Sequence, residues 1–298
     1  MNKPIFVKLG GSVLTDKNAP ESLATTTLHT VAQTIAAHRR EQPETVLLVG
    51  HGGGSFGHYW AEKYRTADGI IHAESWWGVA LVADAMARLN RAVVGALLEA
   101  EIPAVGIQPM AAALAAGGQI QRIGHEQIAL LLHNGVIPVI YGDVLLDTEQ
   151  GCTIASTESL FAALVPYLQP TRMILVGEEA VFDRDPRHDP NARAIRLIDR
   201  RNYADALAHL GGSHGVDVTG GMRAKVAAMW QLAATAPDLE IVICGPNDLA
   251  AALRGESLAS GTIIANTELF NHEERLLLSQ PPTAKARGLV PQPEGWTP

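Results

Sequence analysis

The sequence predicts an α/β protein, a three-layer α/β/α sandwich with a mainly parallel central sheet. Short apolar runs alternate with longer segments of helical periodicity along the 298 residues. Such alternation is typical of parallel strands joined by crossover helices. Several runs, such as Ile241–Ile243, are apolar at every position. This pattern is typical of strands that helices cover on both faces.

The boundaries of each element follow from the apolar periodicity and from the glycine, proline and polar residues between segments. The segments predicted as strands are residues 4–9, 45–49, 103–107, 137–141, 172–176, 240–244 and 261–264. The segments predicted as helices are residues 22–40, 57–64, 75–100, 124–133, 157–168, 200–210 and 222–235. Ligands of such sheets bind beyond the carboxyl ends of the strands. We therefore expect site residues directly after the strand segments.

The long helix predicted over 75–100 carries an apolar stripe at spacings of three and four residues. Its members are Val79, Val82, Met86, Leu89, Val93 and Leu97. Two interpretations are open: the whole stripe packs on the sheet, or its first turns line an apolar pocket for a hydrocarbon chain. Trp76 and Trp77 begin this helix, and either could pack internally, cover a substrate or contact another subunit.

A glycine-rich segment, residues 51–58, follows the strand predicted at 45–49 and leads toward a helix. Glycines allow the backbone to approach an anion closely, and a helix N-terminus behind them adds N–H donors. His58 closes the segment with a side chain that can donate to a phosphate oxygen. The segment predicts an anion site; the alternative is a tight strand-to-helix turn.

Two further glycine turns carry lysines. Lys8 ends the first strand, Gly10 and Gly11 follow it, and Lys17 comes soon after. The third turn, residues 217–222, precedes Lys225. Neither a P-loop nor a dinucleotide fingerprint is present. Separated lysines and glycine turns therefore indicate a site for several phosphates.

These segments resemble, in the same order, those of the amino acid kinase superfamily and, within it, the isopentenyl phosphate kinases. The matching segments are residues 8–17, 51–58, 141–144, 185–186 with 191–192, and 217–222 with Lys225. The resemblance implies ATP-dependent phosphorylation of isopentenyl phosphate, with Mg²⁺ bound through the ATP phosphates. It also implies an acceptor lobe at 1–170 and a nucleotide lobe at 171–280. Residues 281–298 extend beyond the family's usual final strand, and their Pro, Gly and polar residues predict a flexible tail.

The resemblance assigns roles to individual residues. The catalytic candidates are Lys8, Lys17, His58 and Lys225. The acceptor-binding candidates are Gly53, Gly54, His58, Gly142 and Asp143. The ATP-binding candidates are Lys8, Gly10, Gly11, Ser12, Gly54, Gly220, Gly221 and Lys225. Asp143, at a strand end, could also hold Lys8 or Lys17 in place.

The nucleotide half departs from the family pattern. Residues 176–182 and 156–159 replace the Thr-Asp-x-Asp-Gly-x-Tyr and Ser-Gly-Asp-Asp runs of archaeal members. These changes concern the ribose and base contacts and leave the phosphate-binding lysines in place. The charged, proline-punctuated segment 182–193 is either a solvated connector or, by the resemblance, a neighbour of the nucleotide base.

Composition excludes several classes of function. A net charge of −8 without a basic run argues against nucleic-acid binding. No apolar stretch approaches membrane-spanning length, and no signal peptide is evident. No zinc-ligand spacing occurs, and Cys152 and Cys244 are expected to be free thiols in a reducing compartment. We therefore expect a cytoplasmic enzyme, and from the resemblance a homodimer.

Two alternatives to an isopentenyl phosphate kinase remain open. One is a related kinase for a phosphonate such as fosfomycin, which would need a small polar acceptor pocket. The other is a non-catalytic nucleotide sensor of the same fold. Presence of Lys8, Lys17, His58 and Lys225 together argues against a sensor, because a sensor does not need lysines for phosphoryl transfer.

Overall fold

The computed structural model describes residues 2–16, 19–210 and 221–266. Its strands are β1 Ile5–Leu9, β2 Leu47–His51, β3 Ala104–Gly106, β4 Ala113–Ala116, β5 Gln119–Ile123, β6 Ile137–Tyr141, β7 Asp143–Asp147, β8 Gly151–Ala155, β9 Arg172–Val176, β10 Leu197–Ile198, β11 Glu240–Cys244 and β12 Thr262–Ile264. Its helices are α1 Gly11–Leu14, α2 Thr25–Glu41, α3 Gly54–Tyr64, α4 Ser75–Glu99, α5 Pro109–Ala112, α6 His125–His133, α7 Thr157–Leu168, α8 Tyr203–His209, α9 Gly221–Thr235 and α10 Leu249–Arg254.

The central sheet has eight strands in the order β10-β12-β11-β9-β1-β2-β6-β3. Every neighbouring pair is parallel except β11 with β12. This arrangement confirms the predicted α/β class and its mainly parallel sheet. Strands β6, β9 and β11 and helix α7 have the predicted boundaries. The carboxyl ends of β1, β2, β6, β9 and β11 form one edge of the sheet, here called the site rim.

Side chains that alternate along β1 enter two separate cores. Phe6 belongs to a core that includes α6, α7 and α9, whereas Val7 and Leu9 belong to a core that includes α2 and α10. Alternation of this kind is the period-two pattern of a strand covered on both faces. Helices therefore cover both faces of the central sheet, as predicted.

A third apolar cluster, the α3–α4 cluster, lies beside the site rim. Its buried members are Phe56, Val79, Val82, Ala85, Met86, Leu89, Tyr141, Val144 and Cys152. The predicted stripe of α4 is buried along its whole length, but Val93 and Leu97 belong to the core with α2. The stripe is thus divided between two cores. Trp76 and Trp77, by contrast, are 49% and 63% exposed.

A second sheet, with the order β5-β4-β7-β8, was not predicted. Its strands are short, and β5 reads Gln-Ile-Gln-Arg-Ile with little apolar content, so the periodicity signal is weak. Asp147 holds this sheet together, because its carboxylate accepts from the N–H groups of Gly117, Gly118, Glu149 and Gln150 at 2.7–3.1 Å. One side chain thereby links the turns of two hairpins.

Other predictions have mixed outcomes. Cys152 and Cys244 are both free and buried, as expected. Within the described ranges, no helix is long and apolar enough to cross a membrane. The lobe boundary near residue 170 stays a prediction, and the tail predicted at 281–298 lies outside the described residues.

Candidate active site

Two of the predicted glycine turns meet at the site rim. Strands β1 and β2 are parallel neighbours, and Leu9 is paired with His51 at their carboxyl ends. A Cβ atom on Gly11 would lie 2.6 Å from the Cα of Gly54, and one on Gly54 would lie 2.8 Å from the Gly11 carbonyl oxygen. Contacts this close admit no side chain. The sequence needs glycine at both positions because the two turns touch through their backbones.

Helix α3 begins at Gly54, three residues earlier than predicted, so Ser55–His58 are helical. The Ser55 N–H donates to Thr15 Oγ1 at 3.0 Å. Among the described residues, the N–H groups of Gly53 and Gly54 have no acceptor. Free N–H groups at the start of an 11-residue helix form an environment that favours an anion.

His58 lies one helical turn after Gly54 and is exposed. Its side chain is therefore accessible on the turn of α3 that follows the free N–H groups. This placement is compatible with the predicted contact to a substrate phosphate, and the role itself stays a prediction.

A buried ion pair lies next to the glycine turns. The Lys8 Nζ is 2.5 Å from the Glu158 Oε1, and the two side chains are only 12% and 16% exposed. Lys8 lies one residue before the end of β1, and Glu158 lies in the first turn of α7. Strand β1 thus presents its lysine at the rim, and the start of α7 supplies the compensating charge.

Two lysines lower the pKa of Glu158. Burial would raise this pKa, but the charge and hydrogen bond of Lys8, together with the charge of Lys225, hold it below its ordinary value. Lys225 lies one turn into α9, which begins at Gly221 with a φ of 65°. Glu158 therefore interacts with two of the three lysines that the sequence indicated.

Of the remaining predicted site residues, two lie outside the described ranges and two lie at the end of β1 and in α1. Lys17 and Gly220 are not among the described residues. Gly10 precedes Gly11 at the end of β1, where a Cβ atom would lie 2.8 Å from the Val176 carbonyl oxygen. Ser12 is exposed in the first turn of α1.

Gly142 and Asp143 follow β6 at the same rim, and their binding of the acceptor stays a prediction. The Gly142 N–H donates within the protein, to the His51 carbonyl oxygen and to Thr157 Oγ1, both at 3.0 Å. It is therefore not free to donate to a substrate. Asp143 does not hold Lys8, because Lys8 pairs with Glu158. The other predicted partner, Lys17, lies outside the described residues.

Asp143 is a buried carboxyl group. Its side chain is 2% exposed, its Oδ1 accepts from the Val144 N–H at 2.9 Å, and within the described part of the chain its Oδ2 has no partner. Burial raises the pKa of Asp143 to about 7, although backbone N–H groups partly oppose the shift. A protonated Asp143 could donate a hydrogen bond that an ionised one could not.

The α3–α4 cluster packs beside these polar groups, and its members are buried. Phe56 stands on α3 between Gly54 and His58, and Val79, Val82 and Met86 face it from α4. Glu21 links α3 to α4, because its carboxylate accepts from Trp60 Nε1 of α3 at 2.7 Å and pairs with Arg88 of α4. The rim therefore lies next to a packed apolar cluster of α3 and α4.

Segment 182–193, the predicted neighbour of the nucleotide base, is held by its own side chains. Asp185 pairs with Arg187 and His188, and Arg184 pairs with Asp189 at 3.0 Å. The Arg187 hydrogen bonds lower the pKa of Asp185. These contacts favour a structured loop, and its position beside a nucleotide stays a prediction.

Sequence reasoning missed two residues of this region. Glu158 stands in a segment that the sequence marks only as a departure from the family pattern, and its partner Lys8 is 150 positions away. His51 begins the glycine segment, and nothing in the sequence indicates its complete burial. A charged residue in the first turn of a helix predicted to begin at the rim was the signal that could have indicated Glu158.

Comparison with known proteins agrees with this geometry. A family model described as the amino acid kinase family matches residues 3–245. The chain belongs to the amino acid kinase family. Among relatives in this family, the isopentenyl phosphate kinase of Methanothermobacter thermautotrophicus is 36% identical over 266 residues, covering 85% of this chain and 96% of that protein. The isopentenyl phosphate kinase of Haloferax volcanii is 34% identical, covering 87% and 98%.

Solved structures place the chain in the same branch of the amino acid kinase family. A structure described as isopentenyl phosphate kinase superimposes with a TM-score of 0.73 at 32% identity, over 88% of this chain and 99% of that one. The predicted resemblance and the predicted fold are therefore both confirmed.

Proposed function

We propose that this protein transfers the terminal phosphoryl group of ATP to isopentenyl phosphate, forming isopentenyl diphosphate in isoprenoid biosynthesis. The observation that carries the proposal is the contact between two glycine turns beside the Lys8–Glu158 pair. Two phosphates must approach each other in this reaction, and two adjoining backbone turns are suited to hold one each. The names of the relatives support the same substrate.

The donor and the acceptor are assigned to different parts of the rim. We assign the ATP phosphates to the turns at 10–12 and 220–221, with Lys8 and Lys225, and to the N–H of Gly54. We assign the acceptor phosphate to the N–H groups of Gly53 and Gly54 and to His58, with Asp143 nearby. Its hydrocarbon chain is assigned to the α3–α4 cluster.

Phosphoryl transfer depends mainly on positioning and on stabilisation of negative charge. Lys8, Lys17 and Lys225 would supply positive charge to the phosphates. The acceptor phosphate is itself a nucleophile near neutral pH, so no general base is required. This explains how His58 can serve only to orient and neutralise the acceptor.

The side chains at the rim fit a metal ion that arrives with the nucleotide. Glu158 is engaged with Lys8, and the described residues contain no group of three His, Cys, Asp or Glu side chains suited to a metal. Mg²⁺ commonly binds through substrate phosphates and few protein ligands. We propose that Mg²⁺ is held by the ATP phosphates and neutralises part of their charge.

The α3–α4 cluster favours this function over a phosphonate kinase of the fosfomycin type. Phe56, Val79, Val82 and Met86 pack beside the glycine turn. Apolar surroundings of this kind favour a prenyl chain over a small polar acceptor. The sensor alternative is disfavoured by the Lys8–Glu158 arrangement, which adds a charge network to the phosphate site.

Phosphorus NMR of purified protein with Mg²⁺, ATP and isopentenyl phosphate tests the proposal. We expect the signals of a diphosphate monoester and ADP to appear together, whereas fosfomycin and isopentenol are phosphorylated much more slowly. Faster turnover of fosfomycin would favour the alternative kinase. ATP binding without phosphorylation of any of the three acceptors would favour the sensor.

The location and the assembly of the protein also belong to this proposal. We propose a cytoplasmic homodimer, with residues 1–170 as the acceptor lobe and 171–280 as the nucleotide lobe. Light scattering after size exclusion measures the mass in solution directly. A monomer at micromolar concentration would contradict the proposed dimer.

A further inference from the structure

His51, the last residue of β2, is completely buried and uses every polar atom of its ring. Its Nδ1 is 3.1 Å from the Gly52 carbonyl oxygen, and its Nε2 is 3.2 Å from the Nδ2 of Asn90 on α4. The ring stacks on Tyr141 with centroids 5.2 Å apart and an interplanar angle of 13°. The side chain therefore joins β2, α4 and the end of β6.

These partners fix the tautomer of His51. A carbonyl oxygen can only accept, so Nδ1 carries the hydrogen and donates to Gly52. Nε2 is then the acceptor for the Asn90 amide. Burial lowers the pKa of His51 to about 4, so the ring is neutral near neutral pH.

The bond to Gly52 controls the direction of the next N–H group. In a trans peptide, the carbonyl of one residue and the N–H of the following residue point to opposite sides. No cis peptide bond occurs in the described residues. A Gly52 carbonyl held toward the buried ring therefore directs the Gly53 N–H away from it, at the start of α3.

Glycine peptides rotate easily, so this direction needs a restraint. The Gly52 N–H is fixed to the Leu9 carbonyl oxygen at 2.9 Å, but among the described residues the Gly53 N–H has no acceptor. The His51 ring is the side chain that holds the peptide between them. The His51 carbonyl, in turn, accepts from Thr157 Oγ1 at 2.6 Å, next to Glu158.

We propose that His51 is a positioning residue, which holds the Gly52–Gly53 peptide so that the Gly53 N–H is presented to a substrate phosphate. The inference rests on the proposed function in one respect, because it assumes that this phosphate belongs to ATP or to the acceptor. His51 touches neither substrate. Its contribution is to keep a backbone donor oriented before the phosphate arrives, which is the preorganisation that makes such donors effective.

Two amide substitutions distinguish the contribution of Nδ1 from that of Nε2. In His51→Asn, the side-chain N–H occupies the level of Nδ1 and can still donate to Gly52. In His51→Gln, the amide reaches the level of Nε2 and Asn90, and the donor to Gly52 is lost. Both variants lose the aromatic stack, so their difference isolates the bond to Gly52.

The affinities of the wild type and the two variants for ATP, isopentenyl phosphate and pyrophosphate are compared by calorimetry, and their activities by steady-state kinetics. We expect His51→Gln to bind at least one of these phosphates about tenfold more weakly, and His51→Asn to remain within about threefold of the wild type. His38→Gln is the matched control, because His38 is 3% exposed and, within the described residues, its ring nitrogens have no partner. This control should lose stability without losing phosphate affinity.

The outcomes separate this inference from the proposed function. Equal affinities in His51→Asn and His51→Gln, whether both reduced or both normal, would overturn the positioning role, since general packing does not distinguish the two amides. If the wild type binds ATP but makes no isopentenyl diphosphate, the proposed function fails, and the ATP affinities still decide the role of His51. Binding of none of the three phosphates by the wild type would overturn both.

A second measurement covers the case in which His51→Gln does not fold. In wild-type protein labelled with nitrogen isotope at glycine, the amide signal of Gly53 should shift on titration with pyrophosphate, ATP or isopentenyl phosphate. A Gly53 signal that all three leave unmoved, while other glycine signals shift, would overturn the inference.

Discussion

Replacing Glu158 with Gln tests the charge network at the rim. The substitution keeps the shape and an acceptor oxygen but removes the negative charge that lies 2.5 Å from Lys8. The positive charge of Lys8 then loses its ion-pair partner, and the charge that Glu158 shares with Lys225 is lost as well. We expect kcat/KM to fall at least about 100-fold, equivalent to ~2.7 kcal/mol of transition-state stabilisation.

The structure also sets the expected loss of stability. Exposed ion pairs contribute about 0–1 kcal/mol, and removing one partner of a fully buried pair costs about 3–5 kcal/mol. The Lys8 and Glu158 side chains are 12% and 16% exposed, between these limits but nearer the buried one. We therefore expect the free energy of unfolding to fall by ~2–3 kcal/mol, measured by urea denaturation.

A second ion pair, between two strands of the central sheet, provides the control. Arg172 Nε is 2.6 Å from Glu240 Oε1, with side chains 22% and 17% exposed. This pair joins the first residues of β9 and β11, at the edge opposite the site rim. Glu240→Gln should lose a comparable amount of stability and keep its kcat/KM. Near-normal turnover in Glu158→Gln, or an equal loss of activity in both variants, would refute the reasoning.

Four further predictions follow from the site. Burial raises the pKa of Asp143 from 3.8 to about 7. Its contribution to stability is therefore full below about pH 4 and is lost as pH rises through 7. In urea denaturation, the free energy of unfolding of the wild type, relative to that of Asp143→Asn, should fall by up to ~4 kcal/mol between about pH 4 and 8. Gly11→Ala should displace Gly54, because its Cβ would lie 2.6 Å from that Cα; calorimetry should show weaker phosphate binding, and unchanged affinity would contradict the contact. His58→Ala should raise the acceptor KM and lower kcat in the diphosphate assay, and Asn or Gln should restore part of both; normal kinetics in His58→Ala would remove His58 from the site. Lys17→Met should lower kcat by orders of magnitude with little change in ATP affinity, because the loss falls on the transition state; turnover near the wild-type rate would rule out the transfer role.

The central sheet was predictable because its strands are continuous apolar runs with clear boundaries. Residues 137–141, 172–176 and 240–244 were predicted at the positions that the structure gives them. The second sheet was missed because its residues are stabilised by partners that periodicity does not show. The carboxylate of Asp147, for example, fixes a turn 30 residues earlier at Gly117.

The candidate site divides in the same way. The glycine turns were predictable, since only local backbone chemistry is needed to recognise them. Glu158 was not, because its role depends on a lysine on another strand, and an acidic residue in the first turn of a helix is usually explained by the helix alone. The engagement of the Gly142 N–H was hidden for the same reason, since its acceptors are His51 and Thr157.

The position of Lys8 on β1 has a consequence for the motions of the protein. Strand β1 is bonded along all five residues to β2 on one side and to β9 on the other. Strands with two complete neighbours belong to the part of a protein that opens only when the whole molecule unfolds. Hydrogen exchange at the β1 amides should therefore report the global opening of the chain. The backbone of this lysine is then held in place for as long as the protein is folded, whereas the position of its Nζ also depends on Glu158 of α7.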